Sequence, residues 1–108
     1  MGKKGAKLSD LATEAAQGIV EALSALGDVA SKKMFGGFGV FESGVMFALI
    51  DSTGAPFLRM SAGTETRFAE RHGRMPYGLI PAEVLADETA LLKWAREALE
   101  VARAARKK

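Results

Sequence analysis

The chain has 108 residues, of which 48% are hydrophobic and 26% charged, and its net charge is +2. This composition is that of one ordinary globular domain, and the length is sufficient for a hydrophobic core. The sequence has no cysteine, which excludes disulfides and thiolate chemistry, and His72 is its one histidine, so a metal centre is not expected. No nucleophile–base set is apparent, and we therefore expect no catalytic residues and no cofactor.

The basic residues are concentrated at the ends of the chain. Between Leu8 and Ala102 there are eight basic residues against 13 acidic ones, so the positive balance comes from the two termini. We expect a single domain over residues 1–108, with residues 1–7 and 104–108 as flexible basic tails. Such tails keep a small protein soluble, and they are also able to contact nucleic acid without reading its sequence.

No membrane segment is predicted. Asp10 and Glu14 interrupt the apolar region that a signal peptide needs, and the uninterrupted apolar run of the chain, Val45–Ile50, is too short to span a bilayer. We expect a cytoplasmic protein.

The N-terminal part predicts a helix followed by an edge strand. An apolar stripe at three- and four-residue steps indicates a helix over residues 9–26, with Gly27 after its end. The stripe consists of Leu8, Ala12, Ala15, Ile19, Leu23 and Leu26. Residues 29–35 then form a strand in which Lys32 and Lys33 indicate an exposed edge position.

The next stretch, residues 34–51, is rich in glycine and phenylalanine and predicts a hairpin. A strand at residues 38–40 is followed by a turn at residues 42–44 and by the strand Val45–Ile50. Strict alternation would place Val45, Phe47 and Leu49 on one face of that strand and the intervening residues on the other. Because both faces are apolar, this strand is predicted to be central and covered on both sides.

The glycines of this stretch are predicted to be structural. Gly36, Gly37 and Gly39 lie among large apolar residues, which favours a bulge or a close backbone approach. A phosphate-binding loop is not indicated, because no Lys-Ser/Thr pair follows and no helix begins after the glycines.

The C-terminal half predicts three helical segments and two strands. Residues 51–54 form a turn and residues 56–60 a strand, and Thr64 caps a helix over residues 65–72 that ends at Gly73. His72 would then lie near the C-terminal dipole of that helix. A strand over residues 75–80 and a helical turn over 81–85 follow.

Asp87 is predicted to cap the last helix, residues 88–103. Its stripe consists of Leu91, Ala95, Ala98 and Ala102, and Trp94 is interpreted as a core or interface anchor. The resulting order is α-β-β-β-β-α-β-α. It predicts a two-layer α+β domain in which helices pack on an antiparallel sheet of about five strands.

Several segments together are similar to a known family. They are residues 33–41 (KMFGGFGVF), residues 44–50 (GVMFALI), residues 57–59, residues 75–77 with 80–81, and Leu85, Asp87 and the last helix. These segments resemble the N-terminal domain of the TfoX/Sxy family, named for regulators of bacterial natural competence. The resemblance extends from about residue 11 to residue 105.

The resemblance implies a two-layer α+β fold like that of secretion chaperones and a regulatory or interaction role without established catalytic residues. Competence regulators of the family carry a second, C-terminal helical domain, which we expect to be absent from this chain. The first functional hypothesis is therefore a non-enzymatic module that binds another protein, in transcriptional or competence-type regulation, and that also forms a weak homodimer.

Two alternatives remain open. One is nucleic-acid binding through the basic ends, and the other is a small-molecule binder or enzyme that uses the glycine-rich surface with Arg59, His72 and Tyr77. The structural or interaction candidates are Met34, Phe35, Gly36, Gly37, Phe38, Gly39, Gly44, Phe47, Arg59, Tyr77, Pro81 and Trp94.

Overall fold

A computed structural model describes residues 8–34 and 36–106 of the chain. The elements, in order, are α1 (Leu8–Ala22), β1 (Val29–Met34), β2 (Gly37–Glu42), β3 (Val45–Ile50), β4 (Pro56–Arg59), β5 (Tyr77–Leu79), α2 (Ala82–Leu85) and α3 (Glu88–Arg106). Two short 3₁₀ turns, Ser24–Leu26 and Glu65–Arg67, complete the fold. The predicted order of helices and strands is confirmed.

The five strands form one antiparallel sheet in the order β1-β2-β3-β4-β5, so each strand pairs with its neighbour in the chain. β3 is the central strand and β1 is an edge strand, as predicted. The other edge is β5, to which residues 70–72 add a short stretch of pairing.

The helices cover one face of the sheet, which we call the helix face. One core cluster joins apolar residues of all three helices to Val40, Phe47, Ala48, Ile50 and Leu58. The predicted stripe of α3 lies entirely in this cluster. The opposite side, which we call the second face, carries a smaller cluster of Leu49, Phe57 and Tyr77, and none of the described helical side chains belongs to it. The predicted two-layer α+β architecture is confirmed.

A β-bulge in β3 makes the predicted strict alternation wrong. Val40 pairs with Ala48 and Phe41 pairs with Met46, so Phe47 is an additional residue without an opposite partner in β2. Beyond a bulge the remaining residues change faces. The helix-face core consequently receives Phe47 and Ala48 together, with Ile50 and Val45, whereas Met46 and Leu49 belong to the second face.

The first helix is shorter than predicted. Its α-helical part ends at Ala22, and a 3₁₀ turn follows in which the Leu26 amide donates to the Leu23 carbonyl at 2.9 Å. The Ser24 hydroxyl donates to the Glu21 carbonyl at 3.0 Å. A serine that bonds to the backbone in this way competes with continued α-helix, which explains the early end.

The helix predicted over residues 65–72 is limited to Glu65–Arg67. Phe68 already has an extended conformation, with φ −105° and ψ 133°. The chain then pairs with β5, where the His72 amide donates to the Tyr77 carbonyl at 2.9 Å. His72 therefore does not lie at a helix C-terminus, and its predicted interaction with a helix dipole is wrong.

The predicted caps differ in outcome. Asp87 accepts hydrogen bonds from the amides of Thr89 and Ala90, at 3.0 and 3.2 Å, and so caps α3 as predicted. Thr64 makes no such cap. α3 continues to Arg106, so residues 104–106 are helical, while residues 1–7, 107 and 108 of the predicted tails lie outside the described residues.

Candidate functional site

The most distinctive surface of the second face is a group of sulfur-containing and aromatic side chains around Gly39. A Cβ atom at Gly39 would lie 2.5 Å from Met34 Sδ, 3.0 Å from Phe41 Cε1 and 3.3 Å from Met46 Sδ. These three side chains are half-buried and converge over the glycine. Met75 borders the adjacent second-face cluster. We call Met34, Phe41 and Met46 the methionine patch.

The glycines of the hairpin are structural, as predicted. A Cβ atom at Gly37 would lie 2.0 Å from the carbonyl oxygen of Ile50, so only glycine fits between β2 and the end of β3. At the hairpin turn, Ser43 and Gly44 have φ angles of 51° and 87°. Two positive φ values identify the two-residue turn that matches the twist of antiparallel strands.

The remaining predicted candidates occupy several places. Phe38 and Phe47 belong to the helix-face core, Pro81 immediately precedes α2, Gly36 lies in the turn after β1, and Phe35 lies outside the described residues. Met34, Gly39, Arg59 and Tyr77 share the second face, and Trp94 does not.

Trp94 packs at the margin of the helix face. Its ring meets Phe68 edge-on, with centroids 5.3 Å apart, and the Arg67 guanidinium lies 5.3 Å from the indole centre. Arg67 also forms an ion pair with Glu97. The cavity beside them, which Arg59 also lines, has a volume of about 10 Å³, enough for one water molecule. Trp94 is thus a core anchor with a cation over its ring rather than the wall of a ligand pocket.

A polar group adjoins the methionine patch on the second face. The Arg59 guanidinium lies 6.0 Å from the centre of the Tyr77 ring, and the Tyr77 hydroxyl donates to the Met46 carbonyl at 3.4 Å. The His72 ring meets Phe57 edge-on at 5.0 Å. The structure therefore brings Arg59, His72 and Tyr77 to one region, as the small-molecule hypothesis requires.

The Tyr77 hydroxyl and the Arg59 guanidinium of this group are hydrogen-bond donors. Burial raises the pKa of Tyr77, although Arg59 opposes the shift, so its hydroxyl is protonated at neutral pH. Arg59 Nε and His72 Nδ1 are buried and have no hydrogen-bond partner within the described part of the chain. Among the described side chains, no group of three His, Asp or Glu residues lies close enough together to hold a metal ion.

The turn between β3 and β4 is held by Asp51. One carboxylate oxygen accepts hydrogen bonds from the Thr53 amide, the Thr53 hydroxyl and the Ala55 amide, at 2.7 to 2.9 Å. Burial acts to raise the pKa of Asp51, but these hydrogen bonds outweigh it and the pKa lies below its ordinary value. Asp51 is therefore a structural residue of the predicted turn at residues 51–54.

Glu42 connects the hairpin to the end of α3. It is only 6% exposed, and it accepts hydrogen bonds from the Ser43 hydroxyl, the Asp28 amide and the Arg103 guanidinium. The bond from Ser43, followed by those from Arg103 and Asp28, lowers the pKa of Glu42. Arg106 donates to the Gly44 carbonyl at 2.9 Å. Two arginines assigned to the basic C-terminal end therefore make contacts within the fold.

A comparison with known families identifies the domain. A family model described as the TfoX N-terminal domain matches residues 21–102. The chain belongs to the TfoX N-terminal domain family. The match includes every strand of the sheet and the whole methionine patch, and the family supports a regulatory-type module in general. A search of curated proteins finds no match to the chain.

Within the described residues of this TfoX N-terminal domain, no helix has the length and the apolar character of a membrane span. The site residues that sequence reasoning missed are Phe41, Met46 and Met75. A signal for one pair was present in the sequence. A two-residue turn at Ser43 and Gly44 places Phe41 opposite Met46, next to Gly39, once the turn type is recognised.

Proposed function

We propose that this TfoX N-terminal domain is a non-enzymatic regulatory module that binds another protein through the second face of its sheet. The methionine patch is the observation that supports this proposal. Methionine is unbranched and polarizable, and surfaces rich in it adapt to the shapes of different partners. Two of the five methionines of the chain lie in this patch and a third, Met75, borders the adjacent cluster, on the side of the sheet to which no described helix contributes.

A protein partner fits this surface better than a small molecule does. Met34, Phe41 and Met46 already fill the space above Gly39, so the patch offers a contact surface and not a deep cavity. A partner side chain would displace flexible thioethers at small cost. We place this contact in transcriptional or competence-type regulation, the second being the process for which the family is named.

Affinity capture with two matched variants tests the proposal. Met46→Lys places a charge in the methionine patch, and Leu85→Lys places the same charge on α2, where Leu85 is 38% exposed. Both variants, together with the unmodified protein, are used as bait in a lysate of the source cells, and the bound proteins are identified by mass spectrometry. We expect a partner that the unmodified protein and Leu85→Lys retain and that Met46→Lys loses. A set of partners that is the same for all three baits would contradict the proposal.

The unpaired atoms Arg59 Nε and His72 Nδ1 favour a second candidate, a binder of a small anion or carbonyl compound. Screening a panel of small carboxylates by thermal shift tests it. Stabilisation that is lost in His72→Phe and in Arg59→Met, but kept in Met46→Lys, would support the small-molecule function over the protein-binding function.

A further inference from the structure

The two edges of the sheet differ in how they are protected. Beyond β5, Arg71 pairs with Gly78, and the His72 amide donates to the Tyr77 carbonyl, so this edge already has a short added strand. β1 pairs only with β2 among the described residues, and residues 30–33 are all exposed. The free backbone groups of such an edge are a template for an additional strand.

The charges of β1 are arranged on both faces of this open edge. Lys32 pairs with Gly39 and Lys33 pairs with Phe38, so the two lysines point to opposite faces of the sheet. Both are exposed. A strand that paired with β1 would therefore meet one ammonium group on each face. Carboxylates at adjacent positions of that strand would satisfy both, because adjacent residues of a strand also point to opposite faces.

A second copy of the chain is a poor occupant of this edge. Antiparallel pairing of two β1 strands about a two-fold axis would bring Lys32 and Lys33 of one copy close to the same lysines of the other. Like charges at neighbouring cross-strand positions destabilise pairing. The lysines therefore disfavour self-pairing through β1 and favour an acidic segment.

The second face provides the apolar part of the same contact. Met34 lies two residues from Lys32 on the same face, and Phe41 lies opposite the small residue Ala30. An apolar side chain two positions from the carboxylate at Lys32 would pack on Met34 on one side of that carboxylate, or over Ala30 toward Phe41 on the other side. The open edge and the methionine patch are thus adjacent parts of one surface.

We propose that β1 is the docking edge for an extended acidic segment of a partner protein. The segment adds to the sheet as a sixth strand, with adjacent carboxylates at Lys32 and Lys33 and an apolar side chain on the methionine patch. This inference rests on the proposed protein-binding function and names the chemistry of the partner.

Synthetic peptides of eight residues test the inference. Each probe peptide has two adjacent glutamates in a background of alternating valines and threonines. In different peptides of the set, an apolar residue is placed at each position that lies two residues from a glutamate. The control set has glutamines in place of the glutamates. Cross-strand ion pairs at two positions predict that the control peptides bind about twofold to thirtyfold more weakly.

Charge reversal in the protein and N-methylation of the peptide backbone distinguish addition of a strand to the sheet from electrostatic attraction alone. The double variant Lys32→Glu, Lys33→Glu should lose affinity for the glutamate peptides and gain it for lysine peptides of the same design. Lys93→Glu, on the exposed side of α3, is the matched control and should bind as the unmodified protein does. Successive N–H groups of a strand point to opposite sides. N-methylation of one alternate set of residues should therefore abolish binding, and methylation of the other set should not.

Several results would overturn the inference. One such result is that no probe peptide binds at 1 mM. Another is that both sets of N-methylated peptides lose the same binding affinity. A third is that the double variant Lys32→Glu, Lys33→Glu still prefers glutamate peptides. Binding of a DNA duplex that depends on Lys32 and Lys33 and displaces the peptides would reassign the edge to nucleic acid. If a captured partner depends on Met46 but not on the two lysines, the edge inference fails and the proposed function stands. If capture of the partner depends neither on Met46 nor on the two lysines, the edge inference and the proposed function both fail.

Discussion

The change of Gly37 to alanine gives a direct test of how the hairpin is built. The new Cβ atom would lie 2.0 Å from the Ile50 carbonyl oxygen, whereas such contacts below 3.0 Å are essentially never observed, so β2 and the end of β3 must separate by at least 1 Å. The obstacle is backbone and cannot rotate away. Overpacking costs about 1–3 kcal/mol, and a weakened ladder hydrogen bond adds about 1 kcal/mol, which gives about 2–4 kcal/mol in total.

For a chain of 108 residues the entropy of unfolding corresponds to a change of about 4.4 °C in the thermal midpoint per kcal/mol. We therefore expect Gly37→Ala to lower the thermal midpoint by about 9–18 °C, measured by circular dichroism. The control is Gly18→Ala in α1, where a Cβ atom meets nothing within 4 Å and the midpoint should rise by about 2–4 °C. A Gly37→Ala midpoint within 2 °C of the unmodified protein would show that the close approach does not constrain the sheet.

Three other predictions concern acid stability, the methionine patch and self-association. Because the pKa of Glu42 lies below its ordinary value of 4.5, its contribution to stability is complete above about pH 4.5 and is lost as the pH falls through the lower folded pKa. Glu42→Gln should thus lower the thermal midpoint at pH 7, and the difference from the unmodified protein should shrink on acidification. A difference that is constant from pH 7 to pH 3 would argue against this linkage. In Gly39→Val the new side chain contacts the ends of flexible side chains, so the thermal midpoint should fall by only about 4–9 °C. An unchanged midpoint would show that the methionine patch has no packing role. The half-buried apolar side chains of the second face predict a weak homodimer. Sedimentation velocity would reject this dimer by showing only monomer up to about 100 μM, a concentration at which a contact worth 6 kcal/mol is visible.

Local signals were sufficient where one pattern dominated a segment. The continuous apolar run Val45–Ile50 indicated the central strand, and the stripe of Leu91, Ala95, Ala98 and Ala102 indicated the buried side of α3. The cap at Asp87 followed from its position before that stripe. In these segments propensity, periodicity and burial all favour the same structure, which is why the sequence predicts them.

Local signals failed where pairing with a distant segment decided the conformation. Residues 65–72 have a helix-like composition, but hydrogen bonds to β5 draw His72 into an extended conformation. The bulge at Phe47 depends on the register between β2 and β3, which no pattern within one strand encodes. The methionine patch depends on the same register, because Met34, Phe41 and Met46 come from three different strands.

The order of the elements has a consequence for synthesis of the chain. Each strand pairs with the strand made just before it, so the sheet is able to form hairpin by hairpin while the nascent chain leaves the ribosome. α3 follows all five strands and contributes five buried side chains, with contacts to β3 and β4, to the helix-face core. Until α3 is complete, Phe47 and Leu58 of a growing chain lack their main covering helix. During this interval the exposed apolar surface is open to aggregation and to binding by general chaperones. Substitutions that delay docking of α3 should therefore reduce the yield of folded protein more than its final stability.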